Sequence, residues 1–111
     1  MRVISQDGTL DVPYEISSFS MAVGKYENVE HAVIFCYNYS TSMGTKMAEY
    51  GSKEKAKKAM EMLRIAYENN EFYHHTSNSE HFTEFTKALS EEMFKKATSE
   101  YFQFPAEEEL E

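Results

Sequence analysis

The 111-residue sequence predicts an α+β fold, in which a small antiparallel sheet of about five strands is packed by one long helix. A second, C-terminal helix is expected to take part in oligomerisation. Two observations predict this fold. The first 50 or so residues contain several short runs in which apolar and polar residues alternate, a pattern typical of strands. A helical periodicity then begins at Ser52 and returns after residue 79. This length supports one modest core, so a single domain over residues 1–105 is expected.

The chain opens with a predicted hairpin. Residues 2–5 form a short β-prone run, and Asp7-Gly8 then marks a turn because Gly readily adopts positive φ. Apolar side chains alternate with polar ones in the next run, 10–15. Pro13 has no N–H to donate to a ladder, so this strand should lie at an edge or end there.

Further strands are predicted before the helix. Alternation over 17–23 indicates a strand, followed by a polar turn from Gly24. Residues 31–39 are apolar on both faces, which indicates a central strand covered by the helix on one side and by another subunit on the other. A loop at 40–45 and a short strand at 46–50 then lead into the helix.

The first predicted helix runs from Ser52 to about Asn70. Ser52 is a suitable N-cap, and Asn69 and Asn70 are suitable C-cap residues. Met62 and Ile65 lie off the apolar stripe, so we expect them to contact another subunit. The stripe predicted to pack on the core consists of Ala56, Ala59, Met60, Leu63, Ala66 and Tyr67.

A second apolar stripe predicts a helix over roughly 79–98. Phe94 lies off this stripe and is assigned to the subunit interface. Residues 101–105 are predicted to form a last short strand, and residues 106–111 an acidic, frayed tail.

Charge and composition exclude several classes of protein. The net charge of −8 argues against DNA as a partner, since phosphate contacts need clustered Lys and Arg, but it leaves room for a small anionic ligand in a local pocket. No apolar run approaches the length of a membrane span. The single cysteine, Cys36, has no internal disulfide partner, so we expect a buried thiol and a cytoplasmic protein.

No catalytic set is recognisable, so the chain is not expected to be an enzyme. No nucleophile, base and orienting group can be named together, and the Gly-rich phosphate-binding motifs are missing. His74, His75 and His81, with glutamates nearby, resemble metal ligands, but their spacing fits no zinc signature. We therefore expect no metal and no cofactor.

Five residues form the candidate ligand-binding set. Arg64, one of two arginines, has the fork geometry that suits phosphate, and Lys57 belongs to a lysine-rich start of the helix. Tyr73 and Phe82 can stack on a nucleobase, at ~1–3 kcal/mol per base, and the Gln103 amide can hydrogen-bond a base or ribose edge. A solvated lysine face and aromatic core or interface packing are the simpler interpretations.

Three blocks of the sequence resemble a set of small proteins carried by phages and prophages of Firmicutes. They are the opening MRVISQDGT, the helix SKEKAKKAMEMLRIAY and the closing YFQFP. A narrower resemblance is to the first type of Thoeris anti-defence protein. This resemblance implies a phage sponge with a β-sheet core and long helices, which forms dimers or larger oligomers. Such a protein sequesters cyclic ADP-ribose signals, or in some cases cyclic oligonucleotides, without turnover and in pockets between subunits. No ligand-contacting motif matches residue by residue, so the binding candidates rest on their chemistry alone.

Two other functions stay open. The first is an interaction module that binds and inhibits a host protein through its acidic surface and exposed helix faces, and the second is a plain structural oligomer. In the sponge interpretation it is a homodimer or higher homo-oligomer in the host bacterial cytoplasm.

Overall fold

The computed structural model describes residues 1–38, 41–76 and 101–110, without the side chains of 41–43 and 73–76. This part of the chain is α+β, with one long helix and two three-stranded sheets. Its strands and helix, in chain order, are β1 (Arg2–Ile4), β2 (Asp11–Pro13), β3 (Ser18–Tyr26), β4 (Val29–Asn38), β5 (Thr41–Tyr50), α1 (Lys53–Thr76) and β6 (Tyr101–Gln103).

The first sheet has the order β2-β1-β6 and is short. β1 and β2 form the predicted antiparallel pair, while β6 joins β1 in parallel. In the loop between β1 and β2, the Asp7 carboxylate accepts from the Ser5 hydroxyl at 2.7 Å and from both the N–H and the hydroxyl of Thr9. Gly8 follows at φ 78°, a conformation that favours glycine. These contacts close the loop and fix the register of the hairpin.

The second sheet has the order β3-β4-β5 and is entirely antiparallel. β4 is its central strand, as predicted. The strand predicted over 17–23 continues to Tyr26, past Gly24, and a two-residue turn follows at Glu27-Asn28, where both φ angles are positive. Such turns match the twist of a hairpin, so β3 and β4 pair along their whole length.

The two sheets meet at the loop after β1. The Gln6 N–H donates to the Met47 carbonyl at 2.8 Å, and the Glu49 N–H donates to the Gln6 side-chain oxygen at 3.0 Å. The prediction of a single sheet of about five strands is therefore wrong. Pro13 and the 3₁₀ turn Tyr14–Ile16 redirect the chain after β2, so β3 starts a new sheet.

The core lies between α1 and one face of the second sheet. Ser52 caps α1 as predicted, since its hydroxyl accepts from the Lys55 N–H at 3.2 Å. The helix does not end at Asn70, which is buried, but continues to Thr76. The buried apolar residues of this core are Ala56, Ala59 and Leu63 from α1, Ala32, Ile34 and Cys36 from β4, Met47, Ala48 and Tyr50 from β5, and Val3, Phe104 and Leu110.

The acidic residues after β6 are folded back onto the domain as far as Leu110. The Glu107 carboxylate accepts from the Gly51 N–H at 2.7 Å and contacts the Lys55 ammonium at 3.4 Å. Leu110 is buried at the end of a 3₁₀ turn. The prediction of a frayed tail is wrong for these residues, because one carboxylate and one leucine anchor them at the start of α1.

The predicted helix over 79–98 and its interface residue Phe94 lie outside the described residues. The prediction of a loop is wrong for residues 41–45, which belong to β5. In the part of the chain that the structure describes, no helix is both long and apolar enough to cross a membrane.

Candidate functional site

Two grooves flank α1, and both contain residues that the sequence singled out. The larger, which we call the Arg64 groove, has a volume of about 630 Å³ and is lined by Tyr14, Glu15, Ser17, Phe19, Met60, Glu61, Leu63, Arg64 and Tyr67. The smaller, the Gln103 groove, has a volume of about 300 Å³ and is lined by Met62, Ile65, Ala66, Asn69, Tyr101, Phe102 and Gln103.

The chain reversal after β2 builds one wall of the Arg64 groove. Pro13 ends the strand, and its carbonyl accepts from the Ser17 hydroxyl at 2.6 Å, which fixes the 3₁₀ turn. This turn places the Tyr14 ring against Tyr67 of α1, with ring centroids 4.1 Å apart and planes 25° apart. Phe19 is also close to Tyr14, with ring centroids 6.1 Å apart and planes 22° apart. The groove therefore has an aromatic wall that is already assembled.

Arg64 is held by two carboxylates on its own helix. Its guanidinium lies 3.2 Å from Glu68 and 3.6 Å from Glu61, one turn away on either side. All three side chains are well exposed, and exposed pairs of this kind contribute only ~0–1 kcal/mol. A ligand phosphate can therefore take the place of either carboxylate at little cost.

Two further groups at this groove, Glu15 and Tyr67, have shifted pKa values. The N-terminal ammonium donates a hydrogen bond to the Glu15 carboxylate and lowers the pKa of Glu15, which keeps this side chain ionised. Desolvation, followed by the charges of Glu71 and Glu15, raises the pKa of Tyr67. Tyr67 therefore keeps its proton and remains a hydrogen-bond donor.

The Gln103 groove lies between α1 and β6 and is mainly apolar. Met62 and Ile65, the two α1 residues predicted to face another subunit, are 38% and 44% exposed and line it. The Gln103 amide donates to the Ser5 carbonyl at 3.4 Å. Tyr101 is the most exposed of its aromatic residues.

The structure does not bring together the three predicted ligand-binding residues whose side chains it describes. Arg64 and Gln103 lie in different grooves, and Lys57 is exposed on α1 and lines neither. Tyr73 belongs to α1, but its side chain is not described, and Phe82 lies outside the described residues.

Sequence reasoning missed the aromatic wall. Tyr14 was expected to be an ordinary strand residue, and Tyr67 a member of the core stripe. A Tyr directly after an edge-strand Pro, where the chain must turn, is the one local signal that points to this position. The stacking partner, 53 positions later, carries no signal in the sequence.

The arrangement is suited to binding and offers little for covalent chemistry. The residues that line the Arg64 groove include no His, Cys or Lys, and the Ser17 hydroxyl already donates to a carbonyl. Cys36, a possible nucleophile, is buried in the core. Among the described residues, no three His, Cys, Asp or Glu side chains are grouped to hold a metal; His74 and His75 have undescribed side chains, and His81 lies outside the described residues.

No protein-family model, no curated protein and no solved structure matches this chain.

Proposed function

We propose that this chain is a phage anti-defence sponge, which binds a cyclic ADP-ribose or cyclic oligonucleotide immune signal and holds it without turnover. The observation that carries the proposal is that an arginine, two carboxylates and three aromatic rings line one groove of about 630 Å³. The resemblance of the opening, helix and closing blocks to small phage proteins supports the biological role.

The volume and the aromatic wall suit a nucleobase. Small-molecule sites usually measure ~300–1,000 Å³, and the Arg64 groove lies within this range. Stacking on an aromatic side chain is worth ~1–3 kcal/mol per base. Because Tyr14 and Tyr67 already stack on each other, the wall loses little conformational freedom when a base docks against it.

The polar rim suits the remainder of such a ligand. Arg64 can donate two parallel hydrogen bonds to a phosphate or diphosphate, in exchange for its exposed pairs with Glu61 and Glu68. Glu15 and Glu61 can accept hydrogen bonds from ribose hydroxyls. The rim also selects against ligands that present phosphate on every side, since two carboxylates repel them. The ligand we favour therefore has both ribose edges and a compact phosphate group.

Calorimetric titration with cyclic ADP-ribose isomers and cyclic dinucleotides tests the proposal. We expect Arg64→Ala to weaken binding about 10-fold or more, because a charged hydrogen bond is worth ~1.5–3 kcal/mol. Lys57→Ala removes a nearby exposed helix cation that lines neither groove, and should leave the affinity unchanged. Mass spectrometry of ligand released from the complex should recover it intact. Absence of heat with every ligand, or recovery of a hydrolysed product, would contradict the proposal.

A second candidate function, inhibition of a host protein, has one observation in its favour. The face of the second sheet that points away from α1 exposes Tyr26 and Val29, which are 70% and 55% exposed, and also Tyr37. This candidate predicts a stoichiometric host protein in pull-downs with the wild type, its loss with Val29→Lys, and no heat from nucleotides.

A further inference from the structure

The outer edge of β3 is long and open. β3 has nine residues, and no strand in the described part of the chain pairs with its outer side. Tyr26 and Val29 flank the two-residue turn and so form a hydrogen-bonded pair. Because bonding alternates along an antiparallel strand, the N–H and C=O groups of the odd-numbered residues point away from β4. These residues are Phe19, Met21, Val23 and Lys25.

The other described edges differ from that of β3. β2 has three residues and ends in Pro13, and β6 also has only three. Along the outer edge of β5, Gln6 bonds to the backbone at Met47 and Glu49. Proteins commonly protect their edges by short length, by Pro or by a covering segment, and among the residues that the structure describes none of these protects β3. An unprotected edge of this length is a template for pairing with another strand.

The charge pattern favours a second copy of the same chain. The protein carries 19 acidic residues and a net charge of −8, so two copies repel each other over most of their surface. The segment Ser18–Tyr26 holds no acidic residue and one cation, Lys25. Pairing along β3 therefore brings no carboxylate of this strand against a second copy.

We propose that β3 pairs antiparallel with β3 of a second copy, about a two-fold axis through Ala22, so that two three-stranded sheets join into one of six strands. This register pairs all nine residues. It places Phe19 opposite Lys25 of the partner subunit and Met21 opposite the partner's Val23, so the free N–H and C=O groups of both edges meet. It also leaves both α1 helices on the same face of the joined sheet, and no like charges lie opposite each other.

Cysteine cross-linking tests the register. Ala22 is exposed, and on the axis it faces its own copy in a non-hydrogen-bonded pair, with Cα atoms about 4.5 Å apart, which suits a disulfide. Ala22→Cys should therefore form a covalent dimer on mild oxidation. Ser20→Cys is the matched control. It is exposed on the same face, but the two copies of position 20 lie four residues apart, about 14 Å. Equal cross-linking at both positions, or none at position 22, would overturn the proposal. The native Cys36 is buried and does not compete.

Sedimentation equilibrium tests the edge itself. We expect the wild type to have twice the chain mass, and Val23→Pro to be a monomer with an unchanged far-ultraviolet spectrum, because this N–H points away from β4. Val23→Thr keeps the N–H and the branched shape and should remain dimeric. A monomeric wild type would refute the proposal. So would a dimer that survives Val23→Pro but dissociates with Ile65→Asp, since that result would place the interface at the Gln103 groove. If Val23→Pro fails to fold, the cross-linking of Ala22→Cys, compared with that of Ser20→Cys, decides the question.

Discussion

The two sheets of this protein are stabilised in different ways. The short β2-β1-β6 sheet is tied to its surroundings by side-chain hydrogen bonds: Gln6 reaches β5 and the Pro105 carbonyl, and Asp7 closes the loop. The β3-β4-β5 sheet is held by long backbone ladders and by one buried face. Within the described residues it leaves the outer edge of β3 unpaired and an outer face that is partly exposed.

This difference assigns stability mainly to one sheet and association mainly to the other. The short sheet is tied to β5 through Gln6, and the segment that follows β6 is tied to the start of α1 through Glu107. The long sheet, with the turn that leads into it, carries the open β3 edge and the aromatic wall of the Arg64 groove. Substitutions in the short sheet should therefore change stability, and substitutions in the long sheet should mainly change association.

The largest expected effect is on the free energy of unfolding, and it is tested by replacing two phenylalanines in turn. Phe104 follows the short sheet and is 1% exposed, and its ring contacts those of Phe19 and Phe102. Phe104→Ala should lower the free energy of unfolding by about 3–5 kcal/mol, through lost burial and the cavity left behind. Phe35→Ala, on the partly exposed outer face of β4, should cost less than half as much. Urea unfolding measures both, and equal losses would mean that the outer face is also packed.

A smaller effect is expected at Gln6, the residue that joins the sheets. Gln6→Ala leaves the Glu49 N–H without its acceptor and removes a donor to the Pro105 carbonyl, so we expect a loss of about 1–3 kcal/mol in the free energy of unfolding. Gln103→Ala is the control, because this exposed amide makes one long hydrogen bond of 3.4 Å and should change stability by less than about 0.5 kcal/mol. If the two variants lose equal stability, the junction does not depend on Gln6.

Local signals predicted much of the fold. The periodicity of α1, its Ser52 cap, the hairpin at Asp7-Gly8 and the central position of β4 all follow from patterns within a few residues. The division into two sheets does not, because it depends on contacts between Gln6 and residues about 43 and 99 positions away. The polar turn predicted from Gly24 is confined to Glu27-Asn28, because β3 continues to pair with β4 as far as Tyr26.

The candidate site was predicted only in part. Arg64 was identified because its guanidinium fork suits phosphate, and it does line the larger groove. The rings of Tyr14 and Tyr67 come into contact only because the chain reverses at Pro13. Composition does not predict a contact of this kind.

The smallest expected effect concerns acid stability of the loop in the short sheet. Hydrogen bonds from the Thr9 hydroxyl, the Ser5 hydroxyl and the Thr9 N–H lower the pKa of Asp7 from 3.8 to about 2. The unfolded chain therefore binds a proton at higher pH than the folded one. The stability that Asp7 contributes is complete above about pH 4–5 and is lost as the pH falls towards 2.

Urea unfolding between pH 5 and about 2 should show this as a decline in wild-type stability that is weaker in Asp7→Asn. Thr9→Val removes the strongest donor to the carboxylate and should flatten the curve in the same window. Stability should still fall somewhat with pH in both variants, because the N-terminal ammonium also lowers the pKa of Glu15. A lowered carboxyl pKa at Glu15 reduces stability at low pH, as it does at Asp7. Glu15 lies at the Arg64 groove, so a bound ligand that hydrogen-bonds its carboxylate should steepen this remaining decline, whereas the Asp7 contribution should not respond to ligand. If the slope is the same in both variants as in the wild type, the pKa of Asp7 does not differ between the folded and the unfolded chain.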